Sequence, residues 1–491
     1  MIGRTRIRVA AVAMALALGA CAPSGKVHAP DVKLPATFEL AKSANQDAPP
    51  LAERWWTLFN DAQLNQLIDE AHASAPDAKS ALARLNAAFA IRSNALLAYN
   101  PQGALTAQGA DQHTTVTYSG LNLAALGGGA GSGGPDLSKV FLPADETKSY
   151  QGAFNVSWEV DLFGRRKAAR RAANADVLAA RFDYEASRLS LEANVATGLF
   201  QARALAVQLA DARETAKIAA RLAEVGQRKS SHGLVSGADA ARLDADAASS
   251  ASEAERLATL STAARRSLLA LIGRGAAPTE TLVIEPKLAG PPELAPSAPS
   301  DLLRRRPDVR QSEQKLRSAV GNLTLSRLAL LPTLTLLPGG SLAHSEANYI
   351  SKTSIWTIAA GASAPILDRP RLIGAARVQR ARAEEAAALY EQSILNAYRD
   401  AENGLNQLAT DRVRLKLLSE AEAKANFAFK ARQRAYEGGL IDLTALLDAE
   451  RAWLGARGAL TALQAGALND AVSTIKALGG GWTEPPAQVK G

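Results

Sequence analysis

The side chains able to do chemistry are few in this chain, and they stand apart. The five histidines, His28, His72, His113, His232 and His344, show no ligand spacing, and a single cysteine excludes a thiolate metal cluster or a disulfide framework. No Gly-x-Ser-x-Gly elbow, His-Glu-x-x-His pair, phosphate-cradling Gly-x-x-x-x-Gly-Lys or calcium loop occurs. Adjacent acids such as Glu384-Glu385 fall on helical stretches and read as solvated faces. The densest basic run, Arg304-Arg305-Arg306, could take a phosphate, but its place beside Pro307 favours a structural role at a helix start. The sequence predicts no enzyme and no cofactor or metal site. Lys and Arg total 56 against 48 Asp and Glu, a net +8. That excess is small and dispersed, with no basic patch interleaved with aromatics, so no nucleic-acid partner is expected.

One reaction is legible at the N-terminus. Arg4, Arg6 and Arg8 precede an apolar run, Val9 to Leu18, that is too short to span a bilayer. The run ends in Leu18-Gly19-Ala20-Cys21, a small-residue cleavage site directly before the chain's cysteine. This resembles the bacterial lipoprotein signal. It implies removal of residues 1–20, a diacylglycerol on the Cys21 thiol and a further acyl chain on the new α-amine. Two or more chains hold a protein to a membrane where one does not. Ala22 replaces the aspartate that in such lipoproteins favours the inner membrane, so the outer membrane is expected.

After residue 21 no run of 18 or more apolar residues occurs, which excludes a helical membrane protein but not a β-barrel. Organisation comes instead from an internal repeat. Pro76-Asp77 opens a stretch closing at Pro101, and Pro307-Asp308 opens one closing at Pro332. Further on Tyr184 matches Tyr390, Arg228 matches Arg434, Gly233-Leu234 matches Gly439-Leu440 and Gly273 matches Gly479, all at an offset of 206. The chain is two copies of one unit.

Each unit starts with a helix of about 25 residues, 76–100 or 307–331, halted by a proline. Two strands follow, expected at 101–111 and 150–162 in the first unit and at 332–343 and 354–367 in the second. In 150–162 Phe154, Val156, Trp158, Val160 and Leu162 alternate with Asn155, Ser157, Glu159 and Asp161, the period of a strand with one apolar and one polar face. In the fourth strand Trp356, Ile358, Ala360, Ala362, Ala364 and Ile366 share one parity. Strands of about 9–11 residues suffice to cross a membrane; the alternative is a small soluble hairpin. Long helices rich in Ala, Arg, Glu and Leu come next, 166–232 and 371–437, and return helices at 239–272 and 443–477 follow a glycine break. The domains read as a signal at 1–20, a lipidated and equatorial segment at 21–75, repeats at 76–273 and 307–479 with an equatorial linker at 274–306, and a tail at 480–491.

Several of these stretches are motifs. Trp158-Glu159-Val160-Asp161-Leu162-Phe163-Gly164-Arg165, Asp301 to Arg310 with Glu313, Ala364-Pro365-Ile366-Leu367-Asp368, Tyr436 through Gly439 to Leu447-Asp448-Ala449, and Lys476 to Trp482 resemble the TolC-like outer-membrane factors, in the lipoprotein branch that serves drug efflux pumps. The resemblance covers nearly all of 50–482, and it departs at Arg369-Pro370, where a glycine-type turn is usual.

What the resemblance implies is a mixed α and β membrane protein. Three copies each give four strands to one β-barrel in the outer-membrane lipid and their helices to a periplasmic α-helical barrel. The strands agree on physical grounds, because four strands cannot close a barrel and open edges are not viable in lipid. Implied partners are a periplasmic membrane-fusion adaptor and an inner-membrane, proton-driven RND-type pump. The implied activity is passive export of small molecules such as drugs. Matched motif to motif, Thr444, Asp448 and Arg451 fall at the channel gate, with Ala445 where the family has a further aspartate. Gly233, Leu234, Gly439 and Leu440 fall at the adaptor contact. Glu159 and Asp161, on the polar parity, suit a wet barrel lumen or a strand end reaching water. The exit duct of a type I protein or peptide secretion system, and a structural coiled-coil lipoprotein, are the competing readings.

Overall fold

The structure, a computed structural model, describes residues 27, 30–39, 53–114, 146–294, 299–347 and 350–482. Cys21 and its signal lie outside the described residues, as does most of the glycine-rich segment after the first strand. The described chain falls into two compact units.

Among the described residues one unit comprises 27, 90–114, 146–174, 317–347 and 350–384, and it contains the sheet. Its strands are β1 (Gln102–His113), β2 (Glu146–Val160), β3 (Thr333–Glu346) and β4 (Ile350–Ser363). They pair antiparallel in chain order, so β2 and β3 join the hairpins of the two repeats and β1 and β4 form the edges. The strand ends differ from the sequence reading for local reasons. β4 stops at Ser363 rather than 367, because Pro365 has no N–H for the ladder. β2 stops at Val160 rather than 162, where Asp161 turns to cap the following helix. β2 and β3 also extend further than 150 and 343, through polar residues that carry no apolar signal. Between β2 and β3 the pairing lapses at Pro338 and resumes in the same register.

That register sorts the side chains onto two faces. Leu105 opposes Phe154, which opposes Gly340, which opposes Trp356, and Val156 and Ile358 lie on the same side. The opposite face carries Thr106, Gln151, Asn155, Ser157, Glu159, Thr335 and Thr357, with Leu337 and Ile355 as apolar exceptions. In the protomer the apolar face is uncovered: Trp356 is 84% exposed and Ile358 90%. No described helix is long and apolar enough to cross a membrane.

The other unit comprises His28–Phe89, Ala175–Leu316 and Glu385–Gly491. The long helices among the described residues are α1 (Ala62–Ser74), α2 (Pro76–Leu97), α3 (Arg165–Ser231), α4 (Gly237–Leu271), α5 (Pro307–Leu328), α6 (Arg369–Glu437) and α7 (Leu443–Ala477), of which α1, α4 and α7 belong wholly to this unit. α2 and α5 are 22 residues each, shorter than the expected 25 because their last three residues form turns before the proline. α6 begins at Arg369 with Pro370 in its first turn, where a missing N–H costs nothing.

The second unit's largest core gathers Trp55, Trp56 and Phe59 with Leu64 and Ile68 of α1, Leu199 and Phe200 of α3, Leu268 and Leu269 of α4, and Leu468 and Ile475 of α7. Within it the Glu192 carboxylate accepts the Trp55 indole N–H at 2.8 Å and meets the His72 ring at 2.9 Å. Arg306 is buried and donates to Asp308, Ala397 and Ala477. It therefore closes the start of α5 rather than presenting a free cation.

Candidate functional site

The ends of the long helices make two matched turns in the second unit. α3 closes at Gly233, whose φ of +69° suits glycine, with Leu234 N–H donating to the Lys229 carbonyl at 2.9 Å. α6 closes the same way at Gly439, φ +74°, with Leu440 N–H on the Ala435 carbonyl at 2.8 Å. Three residues after each glycine a polar side chain caps the return helix. Ser236 accepts from the Asp239 N–H at 3.1 Å, and Asp442 accepts from the Ala445 N–H at 2.9 Å. The leucines between glycine and cap are pushed outward, Leu234 73% exposed and Leu440 82%. An apolar side chain at the summit of each of two equivalent turns suits a partner surface.

The return helix α7 has two sides near this tip. Leu446, Leu447, Ala449 and Glu450 are buried, while Thr444, Asp448 and Arg451 are exposed. Their spacing of four and three puts those three on one helical stripe. Asp448 Oδ1 lies 4.0 Å from an Arg451 guanidinium nitrogen, both side chains more than 60% exposed. In the protomer that is a loose surface pair; its charges are free to meet other groups.

Beneath the stripe Leu222 and Ala223 of α3, Leu243 of α4, Phe429 and Tyr436 of α6, and Leu446 and Ala449 of α7 form a cluster. Phe429 and Trp453 stack at 5.0 Å, the Trp453 indole donates to Glu422 at 3.0 Å, and Arg432 donates to the Ala445 carbonyl at 3.0 Å. α7 is thus fixed against α6 along its inner side, and the stripe is held outward by packing.

The barrel residues are placed more simply. Glu159 lies on the polar face of β2 and its carboxylate accepts from Arg165 at 2.8 Å. Asp161 lies past the strand and accepts the N–H groups of Arg165 and Arg166 at 2.7 and 3.2 Å, the role of a helix cap.

Asp111, His113 and Glu146 bring ligand-type atoms within 4.8 Å of one another at the end of β1 and β2. All three are exposed, and the Lys148 ammonium already lies 3.1 Å from Glu146, so the cluster carries its own cation.

Glu450 and Glu192 were missed by reasoning from sequence. A helical projection finds the first, because Leu443, Leu446, Leu447, Glu450 and Leu454 fall on one face. Nothing local finds the second, whose partners Trp55 and His72 are more than a hundred residues away.

The family described as outer membrane efflux protein matches residues 67–274 and 298–480. The pyoverdine export outer membrane protein OpmQ of Pseudomonas putida is 30% identical over 459 residues, 91% of this chain and 94% of the relative. Two solved structures share the fold. The Campylobacter jejuni CmeC outer membrane channel has a TM-score of 0.80 at 21% identity, covering 94% of this chain and 95% of its own. The outer-membrane channel OprN has a TM-score of 0.75 at 24% identity, covering 94% and 100%. The chain belongs to the outer membrane efflux protein family, whose members are channels of the outer membrane and not enzymes.

Proposed function

We propose that this protein is the exit duct of a tripartite, proton-driven efflux system, a passive conduit for small molecules closed at its periplasmic tip. The observation that carries this reading is the sheet: four strands with two open edges, one apolar face and one polar face. Open edges are not viable in lipid, so β1 and β4 must pair with further copies, and the polar face then lines a wet lumen. Three copies supply twelve strands. Acyl chains on Cys21 add an anchor beside the barrel.

At the other end, Thr444, Asp448 and Arg451 of the three subunits converge to form the gate. Leu234 and Leu440, raised on their turns by Gly233 and Gly439, dock the adaptor that links the duct to an inner-membrane pump. A small-molecule cargo is supported by the relative OpmQ, which exports pyoverdine.

Deleting the gene in the native host tests the reading. Cells without the duct should accumulate fluorescent dyes and antibiotics that the wild type excludes, and re-expression should restore exclusion. Unchanged accumulation across such a panel would overturn it.

A further inference from the structure

Glu450 stands between Asp448 and Arg451 in sequence but on the other side of α7. Only 4% of it is exposed, and its Oε1 lies buried with no hydrogen-bond partner. An unpaired carboxylate in such a place is costly, because its charge is taken out of water without compensation. The neighbouring elements offer little relief. α4 contributes a second acid, Asp246, and the cation acting on Glu450 is Arg451, the next residue.

Other ionic groups along this part of α7 are engaged elsewhere. Arg432 of α6 donates to the Ala445 carbonyl, Glu422 of α6 accepts from Trp453, Lys229 of α3 lies over the Tyr436 ring, and Asp211 of α3 accepts from Arg457. From α4, Asp244 bonds Gln227 and Asp239 bonds Ser236. The α3 and α6 side chains in the cluster under α7 are otherwise apolar apart from the Tyr436 hydroxyl.

We propose that Glu450 is a proton-operated switch of the tip. As the neutral acid it keeps α7 packed on α4 and leaves Arg451 to Asp448. As the carboxylate it repels Asp246 and draws Arg451 away from Asp448, loosening the stripe that faces the other subunits. The proposal rests on the reading of that stripe as the gate. Burial, and then the Asp246 charge, push the Glu450 carboxyl up to about 7, with Arg451 pulling the opposite way. An acid whose folded pKa is raised binds more protons folded than unfolded. Its contribution is therefore best in acid and is lost as pH rises through about 7. The tip should be tightest in acid and loosest in mild alkali.

Single-channel recording on the intact oligomer reads this directly. The open fraction of the wild type should rise several-fold between about pH 6 and about pH 8. Glu450→Gln, neutral and nearly the same size, should stay at the acid value throughout. Asp246→Asn removes a charge that holds the Glu450 carboxyl up, so it should move the midpoint to lower pH and flatten the rise; an unchanged response would count against the switch. An infrared titration, using the carboxyl band that Glu450→Gln removes, gives the protonation itself. A band titrating in the ordinary carboxylate range overturns the switch.

The double variant Asp448→Ala with Arg451→Ala separates the two levels of the argument. If it conducts like the wild type at every pH, the gate reading falls. If it conducts freely while the wild type ignores pH, the gate stands and the switch falls.

Discussion

Asp448 and Arg451 lie 4.0 Å apart on the exposed side of α7, directly behind a turn whose summit is Leu440. As an exposed pair it contributes about 0–1 kcal/mol within the protomer. Its importance depends on convergence of subunits, where crowding and desolvation raise the stakes of each charge. Replacing either residue by alanine should leave thermal stability within about 0.5 kcal/mol. Replacing both should raise conductance through the oligomer, and exchanging the two charges should recover part of the closure. Loss of folding in the single variants would show the pair to be structural instead.

The two faces of the sheet give a sharper test. Arginine at Ile358 or Val156 puts a charge on the apolar face and should cost about 2–4 kcal/mol near the middle of a bilayer. Arginine at Thr357 or Ser157, one residue away on the polar face, should cost far less. Folding titrations in lipid compare the four variants, and equal damage on both faces would contradict the barrel.

Glu192 predicts a stability effect remote from any gate. It is 5% exposed and satisfies both Trp55 and His72. Glu192→Ala leaves the buried Trp55 indole N–H unpaired and takes away the partner of His72, and should destabilise by about 3 kcal/mol, visible as a lower melting temperature. Glu192→Gln keeps an acceptor and should lose less.

Glycine positions with similar backbone angles should respond differently. At Gly479, φ is +99° and an added Cβ would lie 2.8 Å from the Arg305 backbone. At Gly233, φ is +69° with open space around it. Gly233→Ala should cost about 1 kcal/mol, the left-handed penalty alone. Gly479→Ala should cost more than twice that, because the backbone of Arg305 must also move. Equal losses in thermal unfolding would contradict the close approach.

Much of this architecture was legible in the chain because it rests on periodicity. The alternation of Phe154, Val156 and Trp158 with polar neighbours predicted a two-faced strand, and Gly233 and Gly439 marked both helix breaks. The rest had less to show. The first residues of β2, Glu146 to Ser149, are polar on both faces, so the strand seemed to begin later. Asp161 continued the alternation and looked like a fourth polar strand residue, although the chain uses it to start α3. Arg306 is a buried clamp, the structural role that its place beside Pro307 favours in the sequence. Glu450 was not singled out, although the helical period places it on one face with Leu443, Leu446, Leu447 and Leu454.

Current through a planar lipid bilayer holding the purified oligomer tests the central claim, a water-filled path closed at its tip, most directly. Discrete, long-lived and ohmic steps should appear, infrequent or small in the wild type and larger in the variant with alanine at both 448 and 451. A bilayer that stays as tight as lipid alone with either protein inserted would contradict the account.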